Sequence, residues 1–391
     1  MKIVVYAIAH NESKFVDRWM DSMKEADEVV VLDTGSTDDT VQRLRARGAL
    51  VEVQRYVKWN TLEEYKLALQ GQKESPFGLP PWRFDWARND SISLANTLVP
   101  DADLLVCTDL DEYFMAGWRE KLEAAWLAAL KRGEKPTTAQ YEYVWNFNAD
   151  GSDGTKFWYE KIHTPHSATW THPVHEILSY DGKKKMVSVD GMRLEHHADP
   201  TKSRGQYIHL LELSVKEAPN DDRNMHYLGR EYMFWRRWDD CIATLKRHLA
   251  LPSATWKAER AASMRFIARC YGEKGDAARQ ECYLWRAINE EPGQREAALE
   301  LAEFANRQKD WHLLVAACER CLAVTRRKMT YLTKAEAWGS RPYDLYAVGL
   351  WYTGRKKEAI EANETAMKLN PNDQRLKDND AIMRSLITEG K

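Results

Sequence analysis

The chain has 391 residues and a formal net charge of −2 at pH 7, and 44% of its residues are hydrophobic. This length predicts two domains, and so small a net charge excludes a global nucleic-acid or membrane-surface signal. No apolar run approaches the roughly 20 residues of a transmembrane helix, and polar residues interrupt the first apolar stretch too early for a signal peptide. The six cysteines are scattered, and five lie in the second half. This usage favours reduced thiols in a cytoplasmic protein.

The first hundred residues alternate apolar runs with polar turns. Residues 1–9 and 28–33 read as strands, and residues 50–54 read as a third. After the second strand, Gly35 tolerates a positive φ, and the segment 36–38 can cap a helix. Strands that alternate with helices indicate an α/β sheet with mostly parallel strands.

A fourth apolar run ends in three carboxylates. Residues 104–107 lead directly to Asp109, Asp111 and Glu112. Ligands of open α/β sheets collect at the carboxyl ends of strands. Clustered carboxylates repel one another unless a cation lies among them, and Mg²⁺ or Mn²⁺ prefers oxygen ligands of this kind. The alternative is an acidic loop that caps the following helix.

Five segments of the first 200 residues carry a shared pattern of motifs in chain order: Ala9–Glu12, Asp33–Asp38, Trp82–Asn89, Asp109–Glu112 and Trp170–Glu176. Taken together, they resemble the motifs of family 2 glycosyltransferases. The resemblance implies a GT-A nucleotide-sugar fold, with a Rossmann-like, mostly parallel sheet, over residues 1–200. It also implies that a nucleotide-sugar donor binds at the strand ends.

The resemblance assigns a donor-binding role to residues in four of these segments. Asp33 would contact the ribose or the base, unless it only stabilises its turn. Arg88 would offset the charge of the diphosphate, unless it forms an ordinary salt bridge. Asp85 would bind the nucleoside or hold Arg88 in place. The donor-binding residues implied by the resemblance are Ala9, Asn11, Glu12, Asp33, Ser36, Asp38, Asp85, Arg88 and Asp109.

The metal implied by the resemblance is Mn²⁺ or Mg²⁺. Asp111 would be the main ligand, and Asp109 would contact the ion, the ribose or the sugar. Family members supply a histidine at the end of a late strand, and His196 fits that position, with His197 close behind. Six of the eleven histidines lie between residues 163 and 197, but their spacing matches no common zinc signature.

The segment around Glu176 carries the expected acid–base chemistry. Inverting enzymes of the family use an Asp or Glu late in the domain to deprotonate the acceptor hydroxyl, so Glu176 is the candidate base. His175 would contact the acceptor or serve as the extra metal ligand. Glu112 is the rival base. The segment 59–81 interrupts the strand–helix alternation and is a candidate lid over the donor, or an inert connection.

The chain changes character near residue 200. Beyond it, no convincing strand follows, and helical patterns recur every 34–40 residues with small residues at helix contacts. These patterns resemble about four tetratricopeptide (TPR) repeats, which predicts an all-α domain at residues 201–391. This domain could bind a peptide, cradle the acceptor, mediate homodimerisation or simply support the catalytic domain.

The predicted function is that of a metal-dependent glycosyltransferase. The donor is expected to be linked to UDP, and the reaction is expected to invert the anomeric centre. The acceptor could be a peptide, a glycan, a lipid-linked sugar or a modified nucleic-acid base. Two alternatives stay open: a catalytically inactive GT-A domain that serves a TPR protein-binding module, and a nucleotidyltransferase.

Overall fold

The computed structural model describes residues 1–58, 62–69, 81–148, 151–199 and 207–388. The chain divides into two compact units, Met1–Ala218 and Pro219–Lys391. The predicted domain boundary between residues 200 and 201 lies outside the described residues, and so does most of the candidate lid, residues 59–61 and 70–80.

The first unit begins with the strand–helix alternation that its sequence predicts. Its strands are β1 (Ile3–Ala9), β2 (Glu28–Asp33), β3 (Leu50–Val53), β4 (Leu104–Cys107), β5 (Glu112–Phe114), β6 (Thr138–Val144), β7 (Lys156–His163), β8 (Ala168–Thr171), β9 (Ile177–Tyr180) and β10 (Met186–His196). Its helices are α1 (Val16–Met23), α2 (Thr40–Ala46), α3 (Leu62–Leu69), α4 (Phe84–Leu98), α5 (Trp118–Lys131) and α6 (Tyr207–Glu217).

Eight of these strands form one sheet, in the order β3-β2-β1-β4-β7-β6-β10-β5. Within it, only β7 and β5 run against the other strands. Strand β1 pairs in parallel with both β2 and β4. The chain therefore adds β2 on one side of β1 and later adds β4 on the other side. Such a switch point opens a crevice at the carboxyl ends of the strands, where α/β proteins bind ligands.

Apolar side chains cover both faces of the sheet, which explains why the strand sequences are almost continuously apolar. On one face, Ile3 and Val5 of β1 pack in a core with Trp19 of α1. On the other face, Tyr6 packs with Trp170 of the hairpin β8–β9 and with the apolar side of α4. The predicted α/β sheet is therefore confirmed, whereas the GT-A assignment stays a prediction.

In the second unit, the regular elements of residues 219–388 are all helices. Four helix pairs begin at residues 222, 257, 296 and 341, so successive spacings are 35, 39 and 45 residues. The last spacing is the longest because a 3₁₀ helix, Ala335–Trp338, intervenes. The helices are α7 (Asp222–Phe234), α8 (Trp238–Ala250), α9 (Lys257–Glu273), α10 (Ala277–Glu290), α11 (Glu296–Gln308), α12 (Trp311–Leu322), α13 (Arg341–Tyr352), α14 (Lys356–Leu369) and α15 (Gln374–Thr388).

Each pair stacks on the next in the manner of a helical repeat. The first helix of a pair packs against its own partner and also against the first helix of the following pair, as α7, α9, α11 and α13 do in turn. The predicted run of helical repeats is confirmed. Among the described residues, no helix combines the length and the apolar character needed to cross a membrane.

Glycine allows the closest of these helix contacts. A Cβ added at Gly229 of α7 would lie 2.3 Å from Cδ2 and 2.4 Å from Cγ of Leu245 in α8. Leu245 is completely buried, so its side chain would have to shift within the core. A Cβ at Gly349 of α13 would meet Leu314 and Val315 at 3.0 Å. The small residues expected at helix contacts therefore lie where two helices touch.

We expect Gly229→Ala to destabilise the helical unit. Overpacking typically costs about 1–3 kcal/mol, which exceeds the gain of roughly 0.5–1 kcal/mol from replacing glycine by alanine in a helix. Urea unfolding followed by circular dichroism should show an earlier loss of helix. Gly339→Ala is the control, because the nearest heavy atom to its added Cβ is 3.8 Å away. Equal unfolding of both variants would contradict this account of the helix contact.

Candidate functional site

The structure brings the first two motif segments together at the carboxyl ends of β1 and β2. Ala9 lies opposite Asp33 in the parallel register of the two strands. The backbone N–H of Thr34 donates to the carbonyl of Ala9 at 2.8 Å. The N–H of Thr37 donates to Oδ1 of Asn11 at 2.8 Å. The two turns therefore form a continuous polar rim beside the switch point.

Within this rim, the carboxylates organise the turns themselves. Asp33 is fully buried and accepts hydrogen bonds from the N–H groups of Gly35 and Ser36 at 2.9 and 2.8 Å, and from the Ser36 hydroxyl. These contacts match the turn-stabilising alternative for Asp33. Its predicted contact with a nucleoside would have to share or replace these bonds, and it stays a prediction.

Asp38 and Glu12 join the second turn to the first. Asp38 accepts hydrogen bonds from the N–H groups of Thr40 and Ser13 at 3.0 and 3.3 Å. Burial opposes ionisation of Asp38, but these bonds and the Thr40 hydroxyl lower its pKa below the ordinary value. The N–H of Glu12 donates to the Thr40 hydroxyl at 2.8 Å. The backbone between these residues is thus held in a fixed shape.

Arg88 lies below the rim and connects three elements. Helix α4 buries it, and its guanidinium donates to Asp109 at 2.8 Å, to the Cys107 sulfur at 3.3 Å, and to Glu176. The sequence predicted that Arg88 would face a diphosphate. In the structure its hydrogen-bonded N–H groups donate to protein atoms, so Arg88 joins β4 to the Glu176 segment, and its contact with a diphosphate stays a prediction.

Lys161 of β7 is the second cation of the cluster. Its ammonium lies 3.2 Å from Asp109 and 3.0 Å from the nearer oxygen of Glu112, and its side chain is only 3% exposed. Glu112 is equally buried and also accepts a hydrogen bond of 2.6 Å from the Tyr143 hydroxyl. This burial and these contacts make Glu112 a structural partner of Lys161, which fits an orienting role better than that of the rival base.

The two cations control the protonation of the acidic cluster. Burial opposes ionisation of Asp109, but Arg88 and Lys161 hold its pKa well below the ordinary value. Burial also opposes the charge of Lys161, yet Asp109 and Glu112 raise its pKa well above the ordinary value. For Glu112, burial raises the pKa and Lys161 counteracts that rise. Asp109 is therefore an anion that the protein itself neutralises.

The expectation that Asp85 holds Arg88 in place is wrong. Both oxygens of Asp85 contact the guanidinium of Arg83 instead, at 2.9 and 2.7 Å, and Arg83 also reaches Glu217 at 2.8 Å. Asp85 accepts a further bond from the N–H of Trp86 in the first turn of α4. The two arginines lie on different sides of the helix, because Arg83 precedes its first turn and Arg88 faces the sheet.

Asp111 and His196 form a pair that suits a divalent cation. His196 Nε2 lies 3.5 Å from Oδ2 of Asp111. Its Nδ1 lies 2.9 Å from the carbonyl oxygen of Trp145, which only an Nδ1–H can bond, so the neutral ring presents the lone pair of Nε2 toward Asp111. Histidines that bind metals typically donate their other ring N–H to a carbonyl or carboxylate oxygen in this way. The N–H of His197 donates to the Asp111 carbonyl at 2.8 Å, whereas its own ring faces Glu195.

Burial lowers the pKa of His196, but the neighbouring Asp111 carboxylate outweighs this effect and raises it above the ordinary value. A proton on His196 therefore competes with a cation for Nε2. The pair supplies two ligands, which is what Mg²⁺ and Mn²⁺ sites use when substrate phosphates complete the coordination. The donor set fits such an ion, with Asp109 already engaged by Arg88 and Lys161.

The Glu176 segment is a short connection between β8 and β9. His172 and His175 have φ angles of 77° and 53°, a left-handed conformation that is uncommon outside glycine. The ring of His175 stacks on Tyr207 with 5.9 Å between ring centroids. Such strain persists where surrounding contacts fix the backbone, and it gathers at functional sites. Arg88 contributes that fixation through its bond to Glu176.

Sequence reasoning missed Lys161, Tyr143 and the carbonyl of Trp145. One signal was present, because Lys161 occupies an inward position in a strand whose last three residues are buried. Trp145 itself is 49% exposed, and its ring lies on His196 with 4.4 Å between centroids. Trp170, by contrast, is buried and donates to the Tyr6 hydroxyl at 2.9 Å. Trp145 is therefore the aromatic ring that a ligand near His196 could contact.

No family model and no curated protein matches this chain. Solved structures of TPR proteins are similar to its helical region. MamA is 16% identical over 44% of this chain and 90% of its own, with a TM-score of 0.35. PilF of Pseudomonas aeruginosa is 11% identical over 44% and 71%, with a TM-score of 0.35. The first TPR of Spaghetti (RPAP3), bound to an HSP90 peptide, is 13% identical over 34% and 95%, with a TM-score of 0.29.

We expect Lys161→Met to destabilise the first unit by about 3–5 kcal/mol, because it leaves the buried carboxylate of Glu112 without its cation. Urea or thermal unfolding at pH 7 measures the loss. Lys184→Met is the control: its partner Glu160 and its own side chain are 26% and 43% exposed. Removing such a surface pair should cost roughly 0–1 kcal/mol.

The loss should also depend on pH with a defined sign. The depressed pKa of Asp109 stabilises the folded state above the pKa of the unfolded chain, about 3.9, and this contribution disappears as the pH falls toward the folded value. Because Lys161→Met weakens that contribution, wild type and variant should differ most near neutrality and less below pH 4. A difference that grows in acid would contradict the assigned ion pair.

Proposed function

We propose that the first unit is a glycosyltransferase domain of the GT-A type that uses a nucleotide-sugar donor. The observation that carries this proposal is the convergence of polar groups at one switch point. The ends of β1, β2 and β4 meet there, and the pair of Asp111 and His196 lies at the end of β4 and β10. Crevices of this kind bind nucleotides in open α/β sheets.

The charge of the cluster supports a role for a divalent cation. Three carboxylates, Asp109, Glu112 and Glu176, share the two cations Arg88 and Lys161, and a fourth, Asp111, lies against His196. With all four carboxyls ionised and His196 neutral, the net charge is −2. Asp111 and His196 would hold Mn²⁺ or Mg²⁺, whose chemistry is to neutralise the departing nucleoside diphosphate. Asp109 would then position the donor rather than supply the main ligand.

Glu176 is the proposed base for the acceptor. Arg88 bonds to one of its two carboxylate oxygens, Oε1, and so holds the group in position. The left-handed backbone of His175 directs the segment that carries Glu176, and the stacked Tyr207 ring fixes His175. A base acts only if its oxygen lies within hydrogen-bond reach of the acceptor hydroxyl. We therefore place the acceptor beside the β8–β9 connection.

The donor is proposed to carry UDP, and transfer is proposed to invert the anomeric centre. Both statements rest on the resemblance of the five segments to family 2 enzymes. Trp145 offers an exposed ring beside His196, where it could stack on the sugar of the donor or acceptor. The helical unit would recognise the acceptor or a protein that carries it.

A protein-binding module with an inactive first unit is the second candidate. Two observations favour it: Asp109 and Glu112 are already neutralised by the protein, and the similar solved structures match the helical region. The helical unit also contains a polar cleft of about 390 Å³ between α9, α10 and α11. Its lining mixes charges of both signs, Arg269, Glu273, Glu300, Glu303 and Arg307, which suits a polar peptide.

Calorimetric titration of the full chain with UDP, GDP and dTDP, each with Mn²⁺ and with EDTA, tests the proposal. We expect one nucleotide, UDP, to bind only with Mn²⁺, because the diphosphate completes the coordination of the ion. Asp111→Ala should lower its affinity at least tenfold, or about 1.4 kcal/mol. Asp190→Ala, which removes an exposed carboxylate of β10, is the matched control and should bind as wild type does.

Each outcome of this titration distinguishes the candidates. Nucleotide affinity that is unchanged by EDTA and by Asp111→Ala would refute the metal pair. The absence of binding to all three nucleotides would favour the inactive domain with a helical binding module. Should the protein instead consume a nucleoside triphosphate and release pyrophosphate, the nucleotidyltransferase alternative would replace the transferase.

Glu176→Gln should slow transfer by about 10²–10⁴-fold while donor affinity stays near the wild-type value, because the amide cannot accept the acceptor proton. Glu176 also positions Arg88, so a rate loss alone does not identify a base. The pH profile of the residual rate makes the distinction. Removal of the base abolishes the acidic limb of the wild-type profile, whereas a positioning defect lowers the whole curve. A variant as active as wild type would exclude Glu176 as the base.

A further inference from the structure

A second cluster of ligand-type side chains lies in the helical unit, away from the strand ends. His226 of α7, His248 of α8 and Glu259 of α9 each offer one ligand atom, and these atoms lie within 4.8 Å of one another. All three side chains are buried, at 0%, 0% and 3% exposure. Among the described residues, this is the one group of three such donors.

The hydrogen bonds around the cluster leave the ligand atoms facing one another. The Ser263 hydroxyl contacts Nδ1 of His226 at 2.7 Å and Nδ1 of His248 at 3.0 Å. Its oxygen has two lone pairs and can accept from both Nδ1–H groups at once. In that arrangement both Nε2 atoms carry lone pairs. Tyr331 donates to Oε2 of Glu259 at 2.6 Å and leaves Oε1 toward the histidines.

A simple hydrogen-bonded core does not explain this arrangement. Within the part of the chain that the structure describes, the buried Nε2 atoms of His226 and His248 have no hydrogen-bond partner. Each such atom costs about 1–3 kcal/mol in a protein interior. His248 Nε2 lies 3.5 Å from Oε1 of Glu259, longer than an ordinary N–H···O bond. The separation is close to the roughly 3.3 Å between two ligands of a tetrahedral ion bound at about 2.0 Å.

We propose that His226, His248 and Glu259 form a Zn²⁺ site that ties α7, α8 and α9 together. Two imidazoles and a carboxylate are a common zinc donor set. Ser263 hydrogen-bonds to both imidazoles and Tyr331 to the carboxylate, so these two residues orient the ligands. The site joins the first helix pair to the second, so its metal stabilises the start of the helical stack.

Metal titration of the chelator-treated full chain tests this proposal, in an Asp111→Asn background that removes the carboxylate of the other candidate cation site. We expect one equivalent of Zn²⁺ to bind in competition with a chromophoric chelator. Co²⁺ should give the visible absorption of a tetrahedral site. Zn²⁺ should also raise the melting temperature of the helical unit. This titration does not depend on nucleotide binding, so failure of the zinc site and failure of the proposed enzyme activity can be told apart.

Variants assign the ion to these residues. His248→Gln and Glu259→Gln should each abolish binding of the one equivalent of Zn²⁺. His312→Gln, which alters an exposed histidine of α12, should still bind one equivalent. Ser263→Ala keeps all three ligands and should weaken binding about 10- to 100-fold, as loss of a second-shell partner typically does. Circular dichroism verifies that each variant is folded.

Two results would overturn the site. The first is Asp111→Asn protein that binds no Zn²⁺ and gives no tetrahedral Co²⁺ spectrum. The second is wild-type affinity in folded His248→Gln and Glu259→Gln. If either ligand variant does not fold, the Co²⁺ spectrum and Ser263→Ala decide, because neither removes a ligand. An unchanged affinity of Ser263→Ala, together with an octahedral Co²⁺ spectrum, would then refute the proposed geometry.

Discussion

The first unit depends on the neutralisation of carboxylates crowded at the end of one strand. Two unit charges 4 Å apart interact by about 4 kcal/mol at the effective dielectric constant of a protein surface, so several unpaired carboxylates would force the strand end apart. Arg88 and Lys161 prevent this from two directions, one from α4 and one from β7. Both cations are buried beside the carboxylates that they contact: Arg88 bonds to Asp109 and Glu176, and Lys161 lies close to Asp109 and Glu112.

This pairing has a consequence for the chemistry of the crevice. The two cations are shared among three carboxylates, Asp109, Glu112 and Glu176, while Asp111 lies against His196. Asp111 and His196 form the proposed metal pair, and Glu176 lies on the strained connection between β8 and β9. The ion-pair network therefore stabilises the strand end and positions Glu176, and the proposed transfer to an acceptor would use Glu176 and the metal pair in separate roles.

The sequence predicts the elements of this arrangement better than its contacts. The strands up to β4 follow from apolar runs, and the acidic cluster follows from three carboxylates at a strand end. The partner of Asp85 could not be predicted, because Arg83 and Arg88 are both close to it in sequence and only the path of the chain into α4 selects between them. Lys161 lies 52 residues from Asp109, and it reaches the cluster because β7 inserts in antiparallel orientation between β4 and β6. Such a long-range pairing has no local signal.

The histidines also show that closeness in sequence does not predict contact in the structure. Six of them lie between residues 163 and 197, yet three of these have separate partners: His163 contacts Tyr6, His175 stacks on Tyr207, and His196 faces Asp111. The three donors in the helical unit are spread over α7, α8 and α9, so no short spacing reveals them. Helix packing brings them together in a buried position. A partly exposed carboxylate beside one imidazole suits a hard cation completed by phosphate oxygens, whereas two buried imidazoles with one carboxylate suit zinc. The two proposed sites thus differ in ligand chemistry, because the pair of Asp111 and His196 lies partly exposed beside a strand end and the three donors of the helical unit are buried.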